Sequence, residues 1–491
     1  MALMEEQLDF DGYWWLPANP DRRVPGRLKF SQDEIILDLL AKFDEDPCGT
    51  VRRMNELEHH EVIHGLNRDQ KEITLSDCWS RGPAMRNGAI LGSYSANRLL
   101  IGAWYADETD IRFDEISMRF TDLSMWAASS GFESRMRFQS EDNAGGIDVK
   151  FTPPDTVEVA IGDGATLRIG FPWTWSGYEP VTMESKITQD ASFTIEFDGP
   201  ASFERAQDYV YQLRNFLALG VGRPVQVVSL TGFHKPGSIE ALGPVGARPL
   251  IPRKHPVEIL YRLKAIPMLA SKPVYPFEML YSLGHVRDSL EQYLGRWFTC
   301  QKTLRAVFDR YFAAMFDPTP TAQDQVHRYM LTLEGHHRRT TGATAVSPEE
   351  HERRLAEVEE SLSPANWAWV KPAIKHRNEP PLAARVHEIV GACPVVAERI
   401  VGEPGAWMNF ARKAVTMRDY LSHLTEPLER RAPKGLSVVQ LTTQLRAIAE
   451  MTLLLEIGFS CEQIDQGFVR VRRYEEVAHI KRLRAKRARV R

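Results

Sequence analysis

Long apolar runs are missing from this 491-residue chain. No stretch approaches the roughly 18 uncharged apolar residues that a spanning helix needs, so no membrane association is expected. The first residues, Met1-Ala2-Leu3-Met4-Glu5-Glu6, are acidic and lack a basic-then-apolar signal, so export is not expected either. Cysteine is scarce. Cys48, Cys78, Cys300, Cys393 and Cys461 are scattered, with no close pair and no metal-finger spacing. This excludes a disulfide scaffold and predicts reduced thiols in a cytoplasmic protein. Internal repeats and low-complexity segments are also absent, which excludes fibrous and disordered classes.

What is present is an ordinary globular balance, 43% hydrophobic and 26% charged. The length exceeds one compact core, so two or three domains are expected. The net charge of −4 hides an asymmetry. Residues 320–491 hold 27 Lys+Arg against 21 Asp+Glu, a balance of +6, leaving −10 for the rest. A basic C-terminal portion on an acidic body points to a polyanionic partner.

The first 200 residues read as strands. Short alternating or β-branched runs, such as Ile73-Thr74-Leu75, Asp148-Val149-Lys150-Phe151 and Ser192-Phe193-Thr194-Ile195-Glu196-Phe197, recur between turn residues. A sandwich or barrel-like module follows. At 203–219 the apolar period becomes helical, and Val225-Gln226-Val227-Val228-Ser229-Leu230 then reads as strand. From about 277 the chain is helical. Asp317-Pro318-Thr319-Pro320-Thr321 breaks it and places a domain boundary. Helices are predicted over 321–341, 348–362, 382–392, 404–425 and 436–457, with a loop over 426–435.

Two N-terminal patterns have plain explanations. His60-Glu61-Val62-Ile63-His64 matches the zinc-peptidase pattern H-E-x-x-H, which requires a helix. Here Gly65 and Asn67-Arg68-Asp69 follow, then Ile73-Thr74-Leu75, which reads as strand, turn, strand. Histidines four apart on a strand lie about 13 Å apart, too far to share a zinc ion. Trp14 and Trp15 read as core rather than as a stacking platform.

The informative motif lies in Met417-Arg418-Asp419-Tyr420-Leu421-Ser422-His423. Among fourteen histidines, His423 alone has an arginine five positions earlier. Trp407, Phe410, Ala414, Met417, Leu421 and Leu424 form a helical apolar stripe. Relative to Met417, Arg418 lies about 100° to one side and His423 about 120° to the other. The two cannot meet on one straight helix. Either the helix loosens near Asp419, or a two-fold dimer brings residues of both chains together. The residue types suit acid–base work at a phosphate group. Histidine serves as base or acid, and arginine offers a charged planar fork to phosphate oxygens. One histidine cannot be base and acid at once, whereas two from a dimer can. Asp419 orients Arg418 or caps a loosened turn. The plain alternative makes Arg418 and His423 solvated residues flanking a core helix.

Arg418-Asp419 with His423 carries the R-x4-H signature of HEPN ribonucleases, and the C-terminal module resembles the ApeA-type HEPN domain. Leu331-Thr332-Leu333-Glu334-Gly335-His336-His337-Arg338-Arg339 is similar to that family's first helix. Asn378-Glu379-Pro380-Pro381-Leu382 with Arg385-Val386 is similar to its Asn-Glu-Pro-x-Leu segment, with Val386 where leucine is typical. Gly12-Tyr13-Trp14-Trp15-Leu16-Pro17, Pro25-Gly26-Arg27-Leu28 and Ile63-His64-Gly65 resemble the ApeA N-terminal domain. The resemblance implies a bacterial anti-phage abortive-infection protein that cleaves RNA and forms a homodimer.

The expected fold is therefore α+β: an ApeA-like N-terminal domain over 1–300, β-rich to about 200, then a HEPN helical domain over 318–469. A basic tail over 470–491 follows. The expected activity is metal-independent endoribonuclease, with Arg418 and His423 catalytic, Asp419 supporting, and Glu334 and His337 further candidates. Arg338, Lys481, Arg482, Arg484, Lys486 and Arg487 are candidates for RNA binding; the tail is equally readable as a solvated end. No cofactor or metal is expected. A phage-derived trigger is expected to act on the N-terminal domain. The alternative is a non-catalytic HEPN module for dimerisation or RNA holding.

Overall fold

The computed structural model describes residues 3–43, 58–82, 84–86, 89–140, 143–235, 255–262, 272–342, 344–374 and 377–474. The chain divides into two compact units. Unit 1 is Met1–Ala218, Val225–Val274 and Ser282–Arg287; unit 2 is Leu219–Pro224, Tyr275–Tyr281 and Asp288–Arg491.

Unit 1 is antiparallel. Strands β1 (Leu8–Trp15), β2 (Val24–Phe30), β3 (Ile35–Leu39), β4 (His59–Asn67) and β5 (Glu72–Ser80) precede short β6 (Ala84–Arg86) and long β7 (Ala89–Ile101). β7 pairs with β3 and also with β5, closing β7-β3-β2-β1-β4-β5 into a barrel. Closure leaves these strands without a free edge. Trp14 stands opposite Gly65 across β1 and β4, and a Cβ at residue 65 would collide with the Trp14 ring. The Gly-Tyr-Trp-Trp and Ile-His-Gly motifs are thus two sides of one packing contact. Trp14 and Trp15 are buried, as core residues. β4 and β5 form the expected hairpin, in which His60 meets Glu58 at 2.9 Å and His64 meets the Tyr105 carbonyl at 2.8 Å. Among the described residues no group of His, Cys, Asp or Glu is arranged to hold a metal ion.

The sheet continues from β7. β8 (Arg112–Phe120), β9 (Phe132–Ser140), β10 (Asn143–Phe151), β11 (Val157–Gly162), β12 (Ala165–Gly170), β13 (Trp173–Glu179), β14 (Glu184–Gln189) and β15 (Ser192–Ser202) lead into helix α1 (Phe203–Val221). β16 (Val227–His234) and β17 (His255–Tyr261) follow, and the strand order runs β11-β12-β15-β8-β16-β17-β7. Trp126 packs between Phe193 of β15 and Phe216 of α1, with ring centroids 5.9 and 6.2 Å away. β9–β10 and β13–β14 form separate two-stranded ribbons, and they leave Met136, Ile147, Trp175 and Tyr178 exposed.

Unit 2 is helical: α2 (Leu290–Thr303), α3 (Arg305–Met315), α4 (Ala322–Thr340), α5 (Pro348–Ser361), α6 (Pro364–Ile374), α7 (Leu382–Gly391), α8 (Pro394–Ile400), α9 (Pro404–His423), α10 (Glu426–Arg431), α11 (Leu436–Glu456) and α12 (Cys461–Arg470). After the Asp317–Thr321 break, Thr321 caps α4 by accepting from the Asp324 amide, while His337, Arg338 and Arg339 occupy its last turn. Both ends suit the helix dipole. Residues 426–435, expected as loop, contain α10, because Pro427 sits in the first turn where a missing N–H costs nothing.

The core of unit 2 holds a buried carboxylate. Glu450 of α11 is fully buried and accepts from Tyr311 at 2.8 Å, Arg446 at 2.8 Å, Arg473 at 2.9 Å and the Tyr474 hydroxyl. Burial would push its carboxyl up, but Arg473 and Arg446 together with Tyr474 hold it down at about 2. The reduced-thiol expectation also needs correction. Cys393 and Cys461 are joined in a disulfide, with Cα atoms 5.5 Å apart, while Cys78 and Cys300 are free and buried. Their 68-residue separation leaves no sequence signature for that pairing. Cys48 lies outside the described residues.

Candidate active site

The buried stripe of α9, Trp407, Phe410, Ala411, Ala414 and Met417, fixes the rotation of the helix and brings Arg418 to its flank. The helix runs unbroken through Asp419 to His423 and stops only where Leu424 takes a left-handed conformation, φ 49°. Of the two sequence-level alternatives, local loosening is therefore not what the chain does. Ser422 Oγ donates to the Arg418 carbonyl at 3.0 Å, an ordinary helical back-bond.

Arg418 is held from two sides. Its Nη1 donates to Asp419 Oδ1 at 3.0 Å, and its Nη2 lies 3.6 Å from Glu334 Oε2 on α4. Nε is buried without a partner, while the side chain as a whole is 27% exposed. The guanidinium is oriented yet keeps a donor uncommitted. His423 is exposed in the last turn, and no hydrogen bond or ion pair engages its ring among the described residues. Leu421 is half-buried and Leu424 is 71% exposed, so the apolar stripe leaves the core beside His423.

Behind Arg418 runs a ladder of alternating charge. Glu334 accepts from Arg338 Nε at 3.2 Å, and Arg338 in turn meets Glu379. Glu379 accepts from Arg385 Nη2 at 2.9 Å, and Arg385 Nε donates to the Pro380 carbonyl at 2.9 Å. Arg385 Nη1 approaches His337 Nδ1 at 3.4 Å, and His337 Nε2 meets Glu388 at 2.9 Å. With Nδ1 accepting, Nε2 carries the proton donated to Glu388, an assignment made from the partners. The ladder joins α9, α4, the 378–381 segment and α7. Arg385 is nearly fully buried, so its charge must be met within the protein. Asn378 ties the same segment down by accepting from the amides of Ala345 (2.6 Å, carbonyl) and Val346 (2.9 Å, side chain).

Each candidate now has a place. Arg418, Asp419 and Glu334 are together. His337 is 2% exposed with both ring nitrogens engaged, and Arg338 is half-exposed with two carboxylates as partners. Lys481, Arg482, Arg484, Lys486 and Arg487 lie outside the described residues. Sequence reasoning quoted Glu379 and Arg385 only as matching residues and missed Glu388. The available signal was an acidic residue before a proline with an arginine six positions on, which gains meaning only once the helices are packed.

A family model for ApeA N-terminal domain 1 matches residues 9–297, and one for Apea-like HEPN matches residues 328–463. The chain belongs to the ApeA-like family. No curated protein and no solved structure matches it. The HEPN match spans every member of the ladder, from Glu334 to Asp419, and it points to a nuclease or RNA-related anti-phage role. Among the described residues no helix is long and apolar enough to cross a membrane.

Proposed function

We propose that this ApeA-like chain is a metal-independent HEPN endoribonuclease of anti-phage defence, acting as a homodimer on RNA in the cytoplasm. The observation that carries the reading is the fixing of Arg418 by Asp419 and Glu334, with an exposed His423 five residues on in the same helix. His423 takes the 2′-hydroxyl proton, and the 2′-oxygen forms a bond to phosphorus as the bond to the 5′-oxygen breaks. The leaving oxygen is protonated by a second histidine. The products are a 2′,3′-cyclic phosphate and a 5′-hydroxyl. Arg418 stabilises the charge that builds on the phosphate, the part a metal ion plays elsewhere.

The straightness of α9 supports a dimer. Five residues turn a helix by about 500°, leaving Arg418 and His423 about 140° apart and roughly 7.5 Å apart along the axis. A two-fold pairing near the exposed Leu424 would supply the second histidine and close the geometry. The N-terminal domain would restrain the nuclease until a phage-derived trigger reaches it. The test is growth. Overexpression under phage challenge should arrest cells, and His423→Ala should relieve the arrest at equal protein level. Arrest that persists with His423→Ala would point to a non-catalytic module instead.

A further inference from the structure

A cavity of about 160 Å3 lies within unit 2, at the C-terminal ends of α4, α7 and α11. His336 and His337 line it from α4, Glu388 and Ile389 from α7, and Leu455 and Glu456 from α11. We propose that this cavity binds a small organic cation, an alkyl- or aryl-ammonium or a guanidinium with an apolar body. The proposal does not rest on the nuclease reading.

Charge decides the class of ligand. A helix C-terminus carries about half a negative charge, and three of them meet here, that of α4 partly offset by Arg338 and Arg339. Two carboxylates add to that field, and no lysine or arginine is among the lining residues. A phosphate or carboxylate would be repelled. His336 donates from Nε2 to Glu456 at 2.7 Å. Among the described residues each glutamate accepts from one histidine and keeps further lone pairs for a charged donor.

Size and polarity set the rest. The volume is below the roughly 300–1,000 Å3 of pockets for drug-sized ligands, so it takes a fragment. Ile389, Ala392 and Leu455 give an apolar wall for a short alkyl chain or one ring. The structure thus provides an apolar slot with an anionic wall.

The experiment uses the full chain and three probes of one shape: benzylammonium, benzyl alcohol and benzoate. Calorimetric titration should show saturable one-to-one binding of benzylammonium. Benzyl alcohol and benzoate should bind at least tenfold more weakly. Glu388→Gln and Glu456→Gln should each weaken benzylammonium binding about tenfold, as expected for loss of a charge-assisted hydrogen bond. Ala392→Phe, at an exposed position on the cavity wall, should fill the slot and abolish binding without altering the unfolding midpoint. If a glutamate variant does not fold, Ala392→Phe alone decides. No saturation by benzylammonium up to about 10 mM, equal binding of benzoate, or unchanged binding by Ala392→Phe would overturn the proposal.

Discussion

Arg418 of α9 faces Glu334 of α4 across 3.6 Å, and this contact couples the guanidinium to a ladder that ends at Glu388. Glu334 is thereby a positioning residue, acting through Arg418. Glu334→Gln is expected to lower the single-turnover cleavage rate about tenfold, with little change in RNA affinity, because orientation rather than charge attraction is lost. Single-turnover kinetics with a saturating RNA would check this. An unchanged rate would remove Glu334 from the account.

Glu450 allows a stability test away from the site. Replacing it by alanine leaves Arg446 and Arg473 without their buried counter-charge, so a loss of about 3–5 kcal/mol is expected in denaturant unfolding. The sign of the pH effect follows from the lowered carboxyl. The folded-state value is about 2, below the ordinary carboxylate range near 4.5, so the contribution is complete above the latter. It is lost progressively as pH falls toward 2. Wild-type unfolding midpoints measured through that window should drop, and the drop should be smaller in the alanine variant.

Oligomeric state tests the two-fold site. Light scattering at micromolar concentration should give a dimer, and Leu424→Asp should dissociate it and reduce cleavage together. A strict monomer with full nuclease activity would exclude the shared site.

The order of strands then helices, the β4–β5 hairpin and the main helices of unit 2 were legible because each rests on local periodicity. Barrel closure was not, since the β5–β7 pairing depends on residues such as Leu75 and Leu99 that meet only in the fold. α6 escaped notice because Pro364 and Pro372 bracket an apolar segment with no clear amphipathic face. Arg418 and His423 stood out as candidates from spacing and residue type. The partners of Arg418 were only partly so: Asp419 is its neighbour in sequence, whereas Glu334 reaches it from another helix. Charge ladders are assembled by packing, and their members carry no common period.

The basic end of the chain offers a separate check. Removing residues 479–491 deletes seven Lys and Arg, and this should lower the slope of RNA affinity against salt while leaving cleavage intact. An unchanged slope would make the tail a solubilising end.

The central claim is that a side-chain base and a fixed guanidinium, rather than a metal-activated water, cut the RNA. The most direct measurement is cleavage of an oligonucleotide with one 2′-deoxy substitution at the cut site, beside its all-ribose twin, in excess EDTA. The account requires the all-ribose strand to be cut to a cyclic phosphate and the substituted strand to survive at that bond. His423→Ala and Arg418→Ala should each slow the all-ribose reaction by about 10² or more. Cleavage of the deoxy-substituted bond, or loss of activity in EDTA, would contradict it.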